Sequence, residues 1–222
     1  MNHFFAPGST LKLLAKIASG SHGYAYDYEK HKIVILDDLA NEIIAIRLPI
    51  NTAALDQQLS PVREGVNYIV LLIQSGNCAL GYFEHGKNLD HKVFRSYMVR
   101  KKQGTSQIKY LKTKGKSRAG SRVRLGETAE FFENINGRLQ DYFQQHEIHR
   151  IAMSCSKILL PYFFDAKIKT PFQKKDPRIY HIPKHIHTPI YEVMMDINKF
   201  LLKGEIIYDP IHQPIVNALL DQ

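Results

Sequence analysis

Between Val99 and Arg124 the chain reads VRKKQGTSQIKYLKTKGKSRAGSRVR, with the small uncharged island GTSQ (Gly104, Thr105, Ser106, Gln107) between cations. The island holds no carboxylate, histidine or cysteine, so it supplies neither a general base nor a strong nucleophile. Gln107 offers a neutral amide that donates and accepts hydrogen bonds and does nothing else. A catalyst built on it has to orient a water and stabilise charge inside a site furnished by something else. Gly104 lets the backbone approach closely, and small Thr105 and Ser106 keep the tip narrow.

The charges around the island say what that something is. From His91 to Gly126 there is no Asp or Glu. The same window carries Lys92 and Arg95, then Arg100, Lys101, Lys102, Lys109, Lys112, Lys114, Lys116, Arg118, Arg122 and Arg124. These cations outnumber the whole net charge of +9, so the rest of the chain is mildly acidic. A basic patch on an acidic body is the electrostatic footprint of a polyanion site. From Arg100 onward these ten cations are the expected RNA-binding residues, holding the tip in a phosphate-lined channel. A solvated basic loop is the plainer alternative. A membrane surface fits poorly, because aromatic and aliphatic anchors on a helical face are missing.

The elements that would carry the loop follow from patterning. At 222 residues and 44% hydrophobic, the chain suffices for one good core with a small annex. A helix is expected from about Ser9 to Ala18, then two strands, KIVILDD and EIIAIRLPI, separated by a DDLAN turn. NTAALDQQLSPVREG reads as a connector. NYIVLLIQ is a continuous apolar run suited to a strand buried on both faces. A turn at Ser75-Gly76-Asn77 leads into CALGYFEHG as its hairpin partner, and HKVFRSYMVR alternates as a third strand delivering the chain into the basic loop.

After the loop, GETAEFFENINGRLQDYFQQH places Ala129, Phe132, Ile135, Leu139 and Phe143 at helical spacing. A short strand RIAMSCS, a short helix KILLPYFFDA and an extended DPRIYHIPKHIH follow. A last helix, TPIYEVMMDINKFLL, opens with Thr188 as cap and Pro189 in its first turn. The fold class expected is α/β, a mixed sheet with flanking helices.

Several of these segments, in order, resemble the Vms/ANKZF-type release factors, relatives of the catalytic middle domain of eukaryotic and archaeal class-one release factors. YIVLLIQSGNCALGYFEHG is similar to that domain's first hairpin, and HKVFRSYMVRKKQGTSQ to its signature leading into Gly-x-x-Gln. AGSRVR resembles the approach to the long helix, and DPRIYHIP with TPIYEVMMDINKFL the closing segments. The resemblance runs from about Tyr68 to Asp209. It departs after Arg124, where Leu125-Gly126-Glu127 replaces the usual second Arg and Tyr-Asn-Glu.

The resemblance implies a release-factor-like catalytic domain over residues 61–222, with RNase H-like layering, preceded by a small extension over 1–60. It makes Gln107 the catalytic residue, with Gly104, Thr105 and Ser106 positioning it. The implied partners are the large ribosomal subunit and its rRNA, and peptidyl-tRNA as substrate. The implied reaction frees the nascent chain in ribosome rescue or quality control, by ester hydrolysis or by endonucleolytic cleavage in the tRNA CCA end. A non-catalytic RNA- or ribosome-binding module docking through the same loop is the competing class. No cofactor or metal is implied, and a cytoplasmic monomer is expected.

Three other groupings have ordinary explanations. His181, His185 and His187 lie close in sequence but lack a completing carboxylate or cysteine. Phe131/Phe132 and Tyr162/Phe163/Phe164 would stack bases in principle, but read as core at helical spacing. Cys78 and Cys155 have no metal-type spacing and point to a reducing compartment.

Overall fold

The computed structural model describes residues 1–96 and 117–220, the side chains of 117–126 excepted. Among these residues are two five-stranded sheets. The first strands are β1 (Asn2–Phe5), β2 (Gly23–Asp27), β3 (Lys32–Leu36) and β4 (Glu42–Arg47), with helix α1 (Thr10–Ser19) after β1. Next come β5 (Tyr68–Gln74), β6 (Asn77–Glu84) and β7 (Lys87–Arg95). Helix α2 (Ser117–Gln145), β8 (Arg150–Cys155), α3 (Leu160–Phe164), β9 (Ile179–His181) and α4 (Tyr191–Leu201) follow. The described chain closes with β10 (Gly204–Tyr208) and α5 (Gln213–Leu220).

The second sheet has order β7-β6-β5-β8-β9 and is mixed. β5 to β7 form an antiparallel meander, whereas β8 runs parallel to β5, and β9 parallel to β8. The apolar run of β5 is buried on both faces, as its composition requires. Ile69, Leu71 and Ile73 face α2 and α3, while Tyr68, Val70 and Leu72 face α4. Helices on both faces of a mixed sheet give the three-layer α/β arrangement expected from sequence. The β6–β7 turn is two residues, His85 and Gly86, both at positive φ, the pattern that matches strand twist in tight hairpins.

Three local expectations are corrected. Helix α2 starts at Ser117, nine residues before Gly126: SRAGSRVR contains no Pro to stop it, and its three Arg and one Ala offset the low propensity of Gly120. Its buried stripe is Phe131, Phe132, Ile135, Leu139 and Tyr142. Ala129 is exposed and Phe143 half-buried, with the Phe143 ring stacked 5.8 Å from Phe172. Thr188 does not cap α4. The cap is Ile190, with no side-chain hydrogen bond, since Pro189 keeps the residue before it out of helical geometry and the first bond is Met194 N–H to the Ile190 carbonyl, 3.0 Å.

The first sheet is antiparallel, in the order β1-β10-β4-β3-β2. Residues 1–60 supply four strands and α1; β10 and α5 come from residues 204–220. A cut of the chain at residue 60 therefore does not separate the two sheets. Leu13, Leu14 and Ile17 of α1 and Val216 of α5 cover Ile33, Ile35, Ile44, Ile46 and Ile206, a core of its own. Where β10 meets β1, Gly204 lies under the Phe5 ring, and a Cβ there would fall 2.0 Å from that ring.

Arg150 joins the two sheets. It is 2% exposed and reaches from β8 into the β2–β3 turn. Its Nη2 donates to His31 Nδ1 at 2.8 Å and to the Tyr26 hydroxyl at 3.1 Å, and Nη1 to the Tyr28 carbonyl at 3.3 Å. The guanidinium also lies 4.7 Å from the Tyr28 ring centre. His31 Nε2 donates to the Pro49 carbonyl at 3.0 Å, which fixes the tautomer that leaves Nδ1 as acceptor.

Burial, then the Arg150 charge, holds the His31 pKa well below its usual value. The folded protein thus keeps His31 neutral, while the unfolded chain takes up a proton below about pH 6.5. Stability is complete above that pH and falls by about 1.4 kcal/mol per pH unit below it. Urea midpoints between pH 7.5 and 5 should show this loss in the wild type and a shallower one in His31→Gln. Identical pH dependence in both proteins would refute it.

Among the described residues no helix is long and apolar enough to cross a membrane.

Candidate active site and nucleic-acid interface

β5, β7, β8 and β9 all run in one direction, so their carboxyl ends, at Gln74, Arg95, Cys155 and His181, share one end of the second sheet. In open α/β sheets this is the end where ligands bind. The basic segment leaves from here, joining the end of β7 to the start of α2.

The departure point is fastened on two sides. Ser96 N–H donates to the Gly76 carbonyl at 2.9 Å, tying the exit to the β5–β6 turn. Gly76, at φ 79°, makes that turn in a conformation most residues avoid. Ser96 Oγ donates to the Glu127 carbonyl at 3.2 Å, tying the exit to α2. Further from the tip, Arg138 of α2 pairs with Asp90 of β7. The strand and helix that carry the two ends of the basic segment are thereby clamped together. Between them lies a groove of about 460 Å³, lined by Val93 to Ser96, Glu127, Glu130, Phe131 and Asn134. Glu127 and Glu130 are the first carboxylates after the acid-free window.

Gly104, Thr105, Ser106 and Gln107 lie outside the described residues, as do Arg100, Lys101, Lys102, Lys109, Lys112, Lys114 and Lys116. Arg118, Arg122 and Arg124 belong to the first turns of α2 rather than to a loop. Lys92 and Arg95 are exposed on the edge strand β7, on the approach to the site. Sequence reasoning misses the anchoring by Ser96. Its one signal is its position, where alternation in HKVFRS stops.

The two thiols offer no nucleophile here. Cys78 and Cys155 are free and sit on either side of Ile73, on neighbouring strands. Burial raises the Cys78 pKa well above the usual thiol value and pushes Cys155 up to about 12, so neither is a thiolate at neutral pH. The His185 and His187 rings meet edge to face at 4.4 Å. Among the described residues no three His, Cys, Asp or Glu are grouped to hold a metal. Phe131, Phe132 and Phe163 are core, whereas Tyr162 is 56% exposed.

A family model described as the Bacteroidetes VLRF1 release factor matches residues 68–209. The chain belongs to this family. The VLRF1 match begins at the first residue of β5 and ends one residue after β10, so it encloses the second sheet, the GTSQ segment, α2 and α4. Residues 1–67 lie outside it. Membership makes the chain a release factor, working in translation at the ribosome. Among solved structures, it is similar to one described as the Vms1 mitochondrial localization core. That similarity has 16% identity and a TM-score of 0.46, over 87% of this chain and 88% of the other. No curated protein matches the chain.

Proposed function

We propose that this VLRF1-family protein frees nascent chains from peptidyl-tRNA held in stalled large ribosomal subunits, with Gln107 at the reacting centre. The observation that carries the reading is the VLRF1 match, whose bounds, residues 68–209, include the segment containing GTSQ. The clamped exit at Ser96 supports it, because a catalytic tip works only if its base is held.

Gln107 carries no proton-accepting group of useful strength, so proton transfer draws on RNA, water or the ribosome. Its amide orients the attacking oxygen. The flanking cations neutralise phosphates and hold the tip in place. The departure from the resemblance at Leu125-Gly126-Glu127 touches none of the groups this mechanism uses.

Two chemistries fit this arrangement. In ester hydrolysis a water attacks the aminoacyl carbonyl, and the tRNA leaves with an intact CCA end. In RNA cleavage the 2′-hydroxyl beside a CCA phosphate attacks the phosphorus, the 5′-oxygen leaves, and a cyclic phosphate remains. Crowded Lys and Arg favour the second, since they stabilise a phosphorane-like dianion more directly than a single ester oxyanion. The test is to incubate stalled large-subunit complexes with the pure protein and analyse the released tRNA. Expected are freed peptide and tRNA that accepts no amino acid until its 3′ end is repaired. Directly rechargeable tRNA favours hydrolysis, and absence of released peptide overturns the reading.

A further inference from the structure

At the edge of the second sheet opposite β7, a cleft of about 640 Å³ opens between β9 and the first sheet. Its size falls within the range of small-ligand sites, about 300–1,000 Å³. Four strand spacings of about 4.8 Å put it roughly 19 Å from the strand that leads to Gln107. Ala45, Ile179 and Ile207 give it an apolar floor. Lys30, Lys32, Arg47, Lys174 and Lys175 supply five cations against two carboxylates, Glu29 and Asp176.

Of the two carboxylates, Asp176 does not neutralise the cleft. Asp176 is held by Arg178, which donates to both carboxylate oxygens at 3.0 and 2.7 Å. Lys30 and Lys32 are engaged by Asp27 and Glu42, whereas Lys174 and Lys175 form no ion pair among the described residues.

Arg47 is the built part of the site. It is 93% buried, its residue exposure being 7%. Its Nε donates to Glu205 Oε2 at 3.2 Å, and the Glu205 carboxylate is further held by Asn2 at 2.9 Å. The Phe200 ring lies 4.4 Å from the guanidinium carbon. These interactions fix one side of the planar fork. Arg47 Nη2 lies on that same edge beside Nε and is buried without an acceptor at bonding geometry, although the Tyr180 hydroxyl lies beside the guanidinium. Nη1, at the other end of the fork, is neither hydrogen-bonded among the described residues nor one of the buried unpartnered atoms, and it is the nitrogen left for a ligand in the cleft. A phosphate oxygen is the acceptor that a guanidinium suits best.

We propose that this cleft binds a nucleotide phosphate, with Arg47, Lys174 and Lys175 on the phosphate and the apolar floor against sugar or base. The ligand is a free nucleotide or a nucleotide of an RNA strand, because both present the same group. Ligand binding in this cleft does not depend on the chemistry proposed for Gln107.

The test uses the full chain labelled with nitrogen-15, titrated with AMP and, separately, with a five-nucleotide single-stranded RNA. Expected are amide shifts at Ala45, Lys174 and Tyr180. The exposed double variant Lys174→Ala/Lys175→Ala should weaken binding about tenfold, the effect of removing one charged hydrogen bond or two. Gln107→Ala should leave these shifts unchanged, which separates failure here from failure of the release reading. Shifts with AMP assign the site to free nucleotides; shifts with RNA alone assign it to a strand. No shift at these residues with either probe, or shifts that the double variant leaves intact, overturns the proposal.

Discussion

Replacing Gln107 by alanine is expected to lower peptide release from stalled large subunits by about 10²–10³-fold, while ribosome binding survives. The magnitude is that of removing one pre-organised donor from a reacting centre. Binding survives because Arg100 to Arg124 still carry ten cations, and counterion release from phosphates sets that affinity. Gln107 has no titrating group, so the residual activity should keep the wild-type pH profile. Gln107→Glu tests the same idea from the other side. It preserves size but places an acceptor-only anion among phosphates, so it should do no better than alanine. Release at the wild-type rate by either variant would remove Gln107 from the reaction. Loss of release together with loss of ribosome binding would assign it to docking.

Arg150→Met should destabilise the protein by about 3 kcal/mol. The substitution removes three hydrogen bonds from a charged donor, to His31 Nδ1, the Tyr26 hydroxyl and the Tyr28 carbonyl. Each acceptor keeps one partner, the Tyr26 hydroxyl and Nδ1 each other at 3.1 Å and the Tyr28 carbonyl the His31 N–H at 3.3 Å, so the loss is that of bonds to a charged group, about 1.5–3 kcal/mol each. Relief of the buried charge offsets part of this, since no carboxylate is among these partners. Arg150→Lys should recover little, because one ammonium cannot span acceptors arranged for a planar fork. Urea unfolding at pH 7.5 measures both. A lower midpoint at unchanged slope is expected, and an unchanged midpoint in Arg150→Met would show that the junction contributes nothing.

The parts of this fold that are legible in sequence are those whose local pattern matches their burial. β5 is six apolar or aromatic residues closed by Gln74, and it sits at the centre of its sheet. The DDLAN turn reads as a turn because Asp37 accepts from the backbone of Leu39 and Asn41. β1 and β2 are not legible. NHFF is short and largely exposed, and GYAYD buries none of its residues fully. β10 follows α4 after only Leu202 and Lys203, and its partners β1 and β4 lie more than 150 residues away. No window of sequence reveals such pairing.

The site divides along the same line. GTSQ and its cations are a compositional signal, visible without structure. The junction at Arg150 and the cleft at Arg47 are not, because each looks like one more cation in a basic chain. What distinguishes them is burial, and burial is decided by elements far away in sequence.

The placement of β10 also governs the order in which the protein is made. It is the strand between β1 and β4, so during synthesis the N-terminal sheet exists first as an incomplete meander of β2, β3 and β4, with β1 unattached. Between Arg47 and Gly204 the ribosome must add more than 150 residues, on the order of ten seconds or more at about 5–20 residues per second. Throughout that interval the edge of β4 presents unpaired N–H and C=O groups to any other strand that passes. A factor that works on interrupted translation is itself a chain for which interruption is costly. Stopped anywhere before Gly204, it leaves its own first sheet open.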